Sequence, residues 1–325
     1  MPLITSDDII ETYSKLKQRG LSFIISKFNF NSRSRTLSAF DHNDIEASNW
    51  WNIPSIKQRW NEKISGDKNV IYENYVLDKY YPASNNLKML SIGAGICSHE
   101  INFAKSGKFS KILCVDIAET LLDQAEIKAR RENLICMEFL VTDIFKQAQS
   151  KDEYDIVLFH MSLHHFKNIQ YLLLKVKEWM KSSGHLIINE YVGPNRLQYP
   201  QAQINSINKL LSLIPNEWRS RFKTTILKKK VSGPGKIRMI LADPSECVNS
   251  KSILHLIHQE FVTIEEKPLG GNLLVLGLKD IAHHFYELNE DKWKVLQELF
   301  VTEDAYLQEH DSDYFFGIYS KELPE

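Results

Sequence analysis

Residues 90–100 read LSIGAGICSHE. An apolar run that begins at Met89 passes into two glycines one residue apart, Gly93 and Gly95. This is the pattern of a short strand, a sharp turn and a helix start. Neither glycine has a Cβ, so a ligand can approach the backbone closely. The helix that follows offers unpaired N–H groups to an acceptor. Alone, the pattern is weak. A dinucleotide fingerprint, GxGxxG, needs glycine at position 98, where this chain has Ser98.

Working outward, the same alternation repeats as far as Tyr191. KILCVD (111–116) is a second apolar run and MEFLVTD (137–143) a third. YDIVLFH (154–160) is a fourth and HLIINEY (185–191) a fifth, with a helix expected from Ile169 to a close at Ser183-Gly184. Near-continuous apolar strands separated by helical stretches predict a parallel sheet covered on both faces. FVTIEEK (261–267) and YFFGIYSK (314–321) supply two further strands, making seven. In such sheets ligands bind beyond the C-terminal strand ends. Three polar residues stand at successive ends there: Asp116, Asp143 and His160. Asp116 suits ribose hydroxyls, and Asp143 suits an exocyclic adenine amine with Ile144 and Phe145 beside the base. The plainer reading is that these aspartates cap the helices that follow.

LSIGAG, Asp116, TDIF and DIVLFHMSLHHF resemble, in order and spacing, the motifs of class I S-adenosylmethionine-dependent methyltransferases. The resemblance covers about residues 87–191 and implies a Rossmann-like, doubly wound, mostly parallel sheet. It assigns Gly93, Ala94, Gly95, Asp116, Ile117, Asp143, Ile144 and His160 to the cofactor, with His160 toward the sulfonium end. DPSECVNS, EEKPLGGNLL and SDYFFGIYS further resemble a bacterial subgroup acting in natural-product or glycan modification. The implied activity is methyl transfer to an oxygen or nitrogen of a small-molecule, sugar or carrier-bound acceptor. A nicotinamide-dependent oxidoreductase and a non-catalytic binding subunit are the alternatives.

Methyl transfer from a sulfonium is an in-line displacement that depends on positioning. A base is needed only when the acceptor carries a proton to be lost. His164 and His165 are candidates, because a neutral imidazole suits proton removal at cellular pH. Glu190 is either a base or an orienting group. Tyr191 and Arg196 are candidates for acceptor binding. So is Trp51, in the lid-like segment SNWWNIPSIKQRW (48–60), where Trp60 reads as core. No metal site is expected, since the adjacent histidines cannot both face one cation easily and HEINF (99–103) lacks the second histidine of HExxH. His99 and Glu100 are assigned no chemistry.

The remaining features bound the answer. Forty basic and 41 acidic residues among 325 give a net charge of −1, so nothing suggests a nucleic-acid or membrane-surface partner. Lys228-Lys229-Lys230 reads as a solvated loop. Four scattered cysteines read as buried or reduced thiols. Without a signal-peptide pattern or an apolar stretch near the roughly 20 residues of a membrane span, a cytoplasmic location is expected; a homodimer is left open. Residues 1–85 are expected to form an N-terminal extension and lid helices, with a short strand at 21–28. Residues 86–325 form the methyltransferase domain, with 194–250 as a cap shaping the acceptor pocket.

Overall fold

Seven strands lie in one sheet: β1 (Leu87–Ile92), β2 (Phe109–Asp116), β3 (Met137–Val141), β4 (Tyr154–His160), β5 (Met180–Tyr191), β6 (Val262–Gly270) and β7 (Tyr314–Ser320). Their order is β3-β2-β1-β4-β5-β7-β6. Every pairing from β3 through β5 is parallel. The computed structural model describes residues 2–19 and 48–322, so the strand expected at 21–28 lies outside the described residues.

The apolar runs become the centre of the sheet for the expected reason. Met89, Leu90, Ile156, Val157, Leu186 and Ile188 are all fully buried. Residues enclosed on both faces need no polar alternation. The chain winds outward from β1 to β3, then returns to place β4 on the other side of β1. The C-terminal ends of β1 and β4 therefore flank the switch point, where such sheets leave a crevice.

The helices are α1 (Ser6–Arg19), α2 (Pro54–Ser65), α3 (Tyr72–Tyr80), α4 (Ser98–Ala104), α5 (Glu119–Arg131), α6 (Ile169–Trp179), α7 (Gln201–Ser212), α8 (Lys236–Ala242), α9 (Ile253–Glu260), α10 (Leu274–Leu278) and α11 (Glu290–Leu307). The spacing of Ile56, Trp60 and Ile64 predicts one buried face on α2, and all three are buried. The helix expected to run to Ser183 stops earlier. α6 ends at Trp179, and β5 begins at once with Met180 opposite Tyr154 before a register break. Met180 is fully buried, so pairing with β4 overrides the helical pattern.

The described chain forms two compact units. One comprises Met1–Trp60, Gly193–Glu246 and Pro268–Tyr314; the other comprises Asn61–Val192, Cys247–Lys267 and Phe315–Glu325 and holds most of the sheet. The units part at 60/61 rather than at the expected 85/86. Packing explains the shift. Tyr72 of α3 meets Phe103 and Phe316 within the sheet-bearing unit. Trp50 and Trp60 instead pack on Tyr314 in the other.

One expectation about a polar group needs correction. Lys228 is buried rather than solvated. Its Nζ donates to the carbonyls of Leu276, Gly277 and Lys279 at 2.5–3.1 Å. These are carbonyls at the C-terminal end of α10, which lack intrahelical partners and attract a cation. The four cysteines form no disulfide, as expected; Cys97, Cys114 and Cys247 are buried and Cys136 is half-buried.

A buried carboxyl in the first unit carries a pH signature. Asp313 accepts a hydrogen bond from Gln203 Nε2 at 2.7 Å. Burial, with Glu303 nearby, pushes its pKa up to about 7. Between the ordinary aspartate value and about 7, the folded chain holds a proton that the unfolded chain has released. Stability therefore falls as pH rises through that window. Asp313→Asn keeps an acceptor for Gln203. It should raise the melting temperature by a few degrees at about pH 8 and make the decline across the window shallower. Thermal melts of both proteins over a pH series check this; an unchanged slope refutes it.

Candidate functional site

Gly93 and Gly95 both adopt left-handed conformations, with φ of +71° and +54°. The N–H groups of Gly93 and Ala94 donate to the Val115 carbonyl at 2.8 and 3.2 Å, which folds the turn toward β2. Gly95 N–H then donates to Asp116 Oδ2 at 2.8 Å, and Ala118 N–H donates to Asp116 Oδ1 at 2.8 Å. Asp116 thus latches the glycine turn to the end of β2. A carboxylate oxygen has two acceptor sites, so each keeps one for a further donor.

The two glycines do different work. A Cβ at Gly93 would lie 2.6 Å from Ser162 Cβ, so this glycine lets the turn close on the loop after β4. Ser162 Oγ secures that closure by donating to the Ile92 carbonyl at 2.7 Å. A Cβ at Gly95 would meet nothing within 4 Å. Gly95 therefore borders open space beside a half-exposed carboxylate, which is the cradle a ribose-bearing cofactor requires.

At the third strand end, Asp143 Oδ1 accepts from Phe145 N–H at 3.1 Å and caps a single 3₁₀ turn, Ile144–Lys146. The capping reading therefore holds here. Ile144 belongs to the apolar core and is 3% exposed, so it does not offer a surface to a base. Phe145 does, at 42% exposure, braced by Phe166 and Tyr171. Ile117 is half-buried beside Asp116.

His160 stands in a stack that sequence reasoning missed. Its ring lies 3.5 Å from His99 between centroids and parallel to Tyr72, whose hydroxyl is 3.3 Å from His160 Nδ1. His99 Nδ1 pairs with Glu73 Oε1 at 2.7 Å, and Asn102 Nδ2 donates to the same oxygen at 3.0 Å. Burial, then the neighbouring His99, pushes His160 well below the ordinary histidine range, so its ring is neutral. His99 is thus not idle. Glu100 is a tie between α4 and β1, accepting from Ser91 Oγ at 2.5 Å. Only the packing of α3 on α4 brings these residues together; no local spacing marks Tyr72 or Glu73.

The loop after β4 is organised by Glu190, which is fully buried. Its Oε2 accepts from the N–H groups of Ser162 and Leu163 at 2.8 and 2.7 Å. Its Oε1 accepts from Tyr191 N–H at 2.8 Å and pairs with His164 Nδ1. Four partners saturate the carboxylate, the arrangement of an orienting group rather than a base. With Nδ1 against Glu190, His164 presents Nε2 on the far side of its ring. The His165 ring lies 4.3 Å from that of His164, and a ring nitrogen of each comes within 4.8 Å of the other, so adjacency does not by itself keep the pair from facing one cation as expected.

The three acceptor-binding candidates are all engaged in packing. Tyr191 is 1% exposed, with its ring edge toward His164. In the other unit, Arg196 Nη1 donates to the Glu246 carbonyl at 3.1 Å, anchoring its own segment. Trp51 packs 4.6 Å from Trp60 and 5.8 Å from Trp50.

A family model described as "Methyltransferase domain" matches residues 83–259, more than half of the chain. An (S)-coclaurine N-methyltransferase from Thalictrum flavum subsp. glaucum is 31% identical over 100 residues, covering 31% of this chain and 27% of that protein. The solved phosphoethanolamine N-methyltransferase 2 of Haemonchus contortus aligns at 14% identity and a TM-score of 0.51. That alignment covers 89% of this chain and 60% of the other. A geranyl diphosphate C-methyltransferase from Streptomyces coelicolor A3(2) aligns at 9% identity over 77% of this chain and 80% of the other, with a TM-score of 0.49. The chain spans well under two thirds of the curated relative's length. The glycine turn, its Asp116 latch and strands β1 to β5 around the switch point all lie within the matched segment, and the chain belongs to the methyltransferase-domain family, with class I architecture.

Proposed function

We propose that the chain transfers a methyl group from S-adenosylmethionine to a nitrogen or oxygen of a small-molecule acceptor. The observation that carries this is the Gly95–Asp116 latch, which sets an ionisable carboxylate against an open backbone turn at the switch point. When bound, S-adenosylmethionine supplies an electrophilic methyl carbon on a sulfonium sulfur. The N-methyltransferase relative favours a nitrogen acceptor. A neutral amine needs no base, whereas a hydroxyl or an ammonium does.

In this reading Gly93, Ala94 and Gly95 present backbone to the cofactor, and Asp116 accepts from ribose hydroxyls with its remaining acceptor sites. Asp143 and Phe145 face the adenine, while neutral His160 and Tyr72 wall the reacting end and exclude water. His164 takes the proton from an acceptor that carries one, using Nε2. Glu190 holds its tautomer and orientation, and His165 flanks it. The same acceptor lets a nicotinamide reading fail cleanly: S-adenosylhomocysteine should bind and NAD(H) should not.

Isothermal titration with S-adenosylhomocysteine tests the cofactor site. Asp116→Ala should weaken binding by roughly 10- to 100-fold, the size of a lost hydrogen bond to a charged group. Unchanged affinity would sink the assignment. Gly95→Val places a side chain in open space, so it should block binding while the melting temperature falls only modestly; a folded variant that still binds contradicts the cradle.

Methyl transfer from labelled S-adenosylmethionine to a panel of small amines and phenols tests the base. For a proton-bearing acceptor, His164→Ala should lower kcat by roughly 10²- to 10⁴-fold while affinity for S-adenosylhomocysteine stays near wild type. Full turnover in both His164→Ala and His165→Ala would remove histidine from the mechanism.

A further inference from the structure

The run Lys228-Lys229-Lys230 divides. Lys228 is buried on its carbonyls, while Lys229 and Lys230 are exposed. Two residues further on, the N–H groups of Ser232 and Gly233 donate to Asp7 Oδ2 at the start of α1. The chain then enters α8, whose first residues meet the segment ahead of α1. Lys236 and Ile237 N–H donate to the carbonyls of Pro2 and Leu3 at 3.3 and 3.2 Å. A Cβ at Gly235 would lie 2.9 Å from Ile4 Cα, so glycine lets the two segments touch.

This contact, within the first compact unit, assembles an apolar patch. Leu3, Ile4, Ile237, Ile240 and Leu241 are 38–64% exposed. Ile237, Ile240 and Leu241 stand at i, i+3 and i+4, which is one face of α8, and Leu3 and Ile4 abut its N-terminal end. Met239 points the other way and is buried. Single exposed apolar side chains need no explanation, but five on one surface mark an interaction face.

The charge around the patch has one sign. The acids of α1 are all engaged within the fold. Asp7 holds Ser232 and Gly233, Asp8 and Glu11 pair with Arg238, and Glu11 also reaches Lys279. Lys236 is exposed four residues before Ile240, on the same face of α8. Among the described residues, Lys229, Lys230 and Lys236 have no ion-pair partner. A two-fold contact between copies would set this face, with its lysines, against itself. An anionic bilayer takes both parts, because apolar side chains enter the headgroup boundary while lysines meet the phosphates. We propose that this face docks on an anionic lipid surface, with Ile237, Ile240 and Leu241 inserted and Lys229, Lys230 and Lys236 on the headgroups. The net charge of −1 conceals the face, since the acids that offset these lysines lie inside the fold. The inference does not rest on the proposed methyl transfer.

Co-sedimentation of the full chain with lipid vesicles tests it. One set is phosphatidylcholine alone; the other carries about 30% phosphatidylglycerol as the anionic lipid. At about 0.1 M salt the chain should bind the anionic vesicles at least tenfold more tightly than the neutral ones, and it should release as salt rises toward about 0.5 M. Ile240→Asp with Leu241→Asp removes inserting side chains, and Lys229→Glu with Lys230→Glu reverses the charge. Each pair should weaken binding about tenfold or more, with circular dichroism melts reporting the fold. Lys229 and Lys230 lie in no helix or strand, so that pair decides the matter if the α8 pair unfolds. Absence of binding at about 1 mM anionic lipid, equal binding to both vesicles, or full affinity in either folded variant overturns the proposal. So does a dimer, seen by sedimentation without vesicles, that the α8 pair dissolves, because the face would then belong to a second copy.

Discussion

A single buried carboxylate holds the switch point together. Glu190 ends β5, yet its four partners come from the loop after β4, from its own neighbour and from His164. Removing it would leave three backbone N–H groups and an imidazole nitrogen without this partner in the interior, at a cost of roughly 1–3 kcal/mol for each group. Because that loop also carries Ser162, which closes on Gly93, the glycine turn inherits its position from Glu190. Sequence proximity hides this hierarchy, since Glu190 lies 28 and 27 positions from the Ser162 and Leu163 N–H groups it accepts from.

At the strand-end aspartates, capping is compatible with the ligand recognition proposed for them. Asp116 accepts from Gly95 and Ala118, and Asp143 caps a 3₁₀ turn. Those bonds fix each carboxylate in one orientation and leave acceptor capacity at a strand end. A side chain that is already ordered loses less entropy when a ligand arrives. The local structural role is therefore the means by which the binding geometry is preorganised.

The unit formed by Met1–Trp60, Gly193–Glu246 and Pro268–Tyr314 is assembled from three separated stretches of chain. Asp7 and Asp8 near the start of α1 accept from backbone around Gly233 and Gly235, more than 220 positions away. Lys228 caps α10, and Trp50, Trp51, Trp60 and Tyr314 form one aromatic cluster. None of these contacts has a periodicity or motif, so the sequence suggested a solvated basic loop where Lys228 is buried.

What the sequence determined by itself is the sheet and its turn. Continuous apolar strands separated by helices leave few topologies, and glycines at 93 and 95 mark where backbone must bend and lie open. Strand-end acids follow from the same pattern, because each strand ends at the crevice. Only the tertiary structure decided which polar residues are instruments and which are ties. It stacked His99 and Tyr72 on His160, saturated Glu190, buried Tyr191 and Ile144, and turned Arg196 onto its own segment. The physical reason is that a side chain's role depends on which donors and acceptors reach it through space. Those partners come from elements that local periodicity cannot pair.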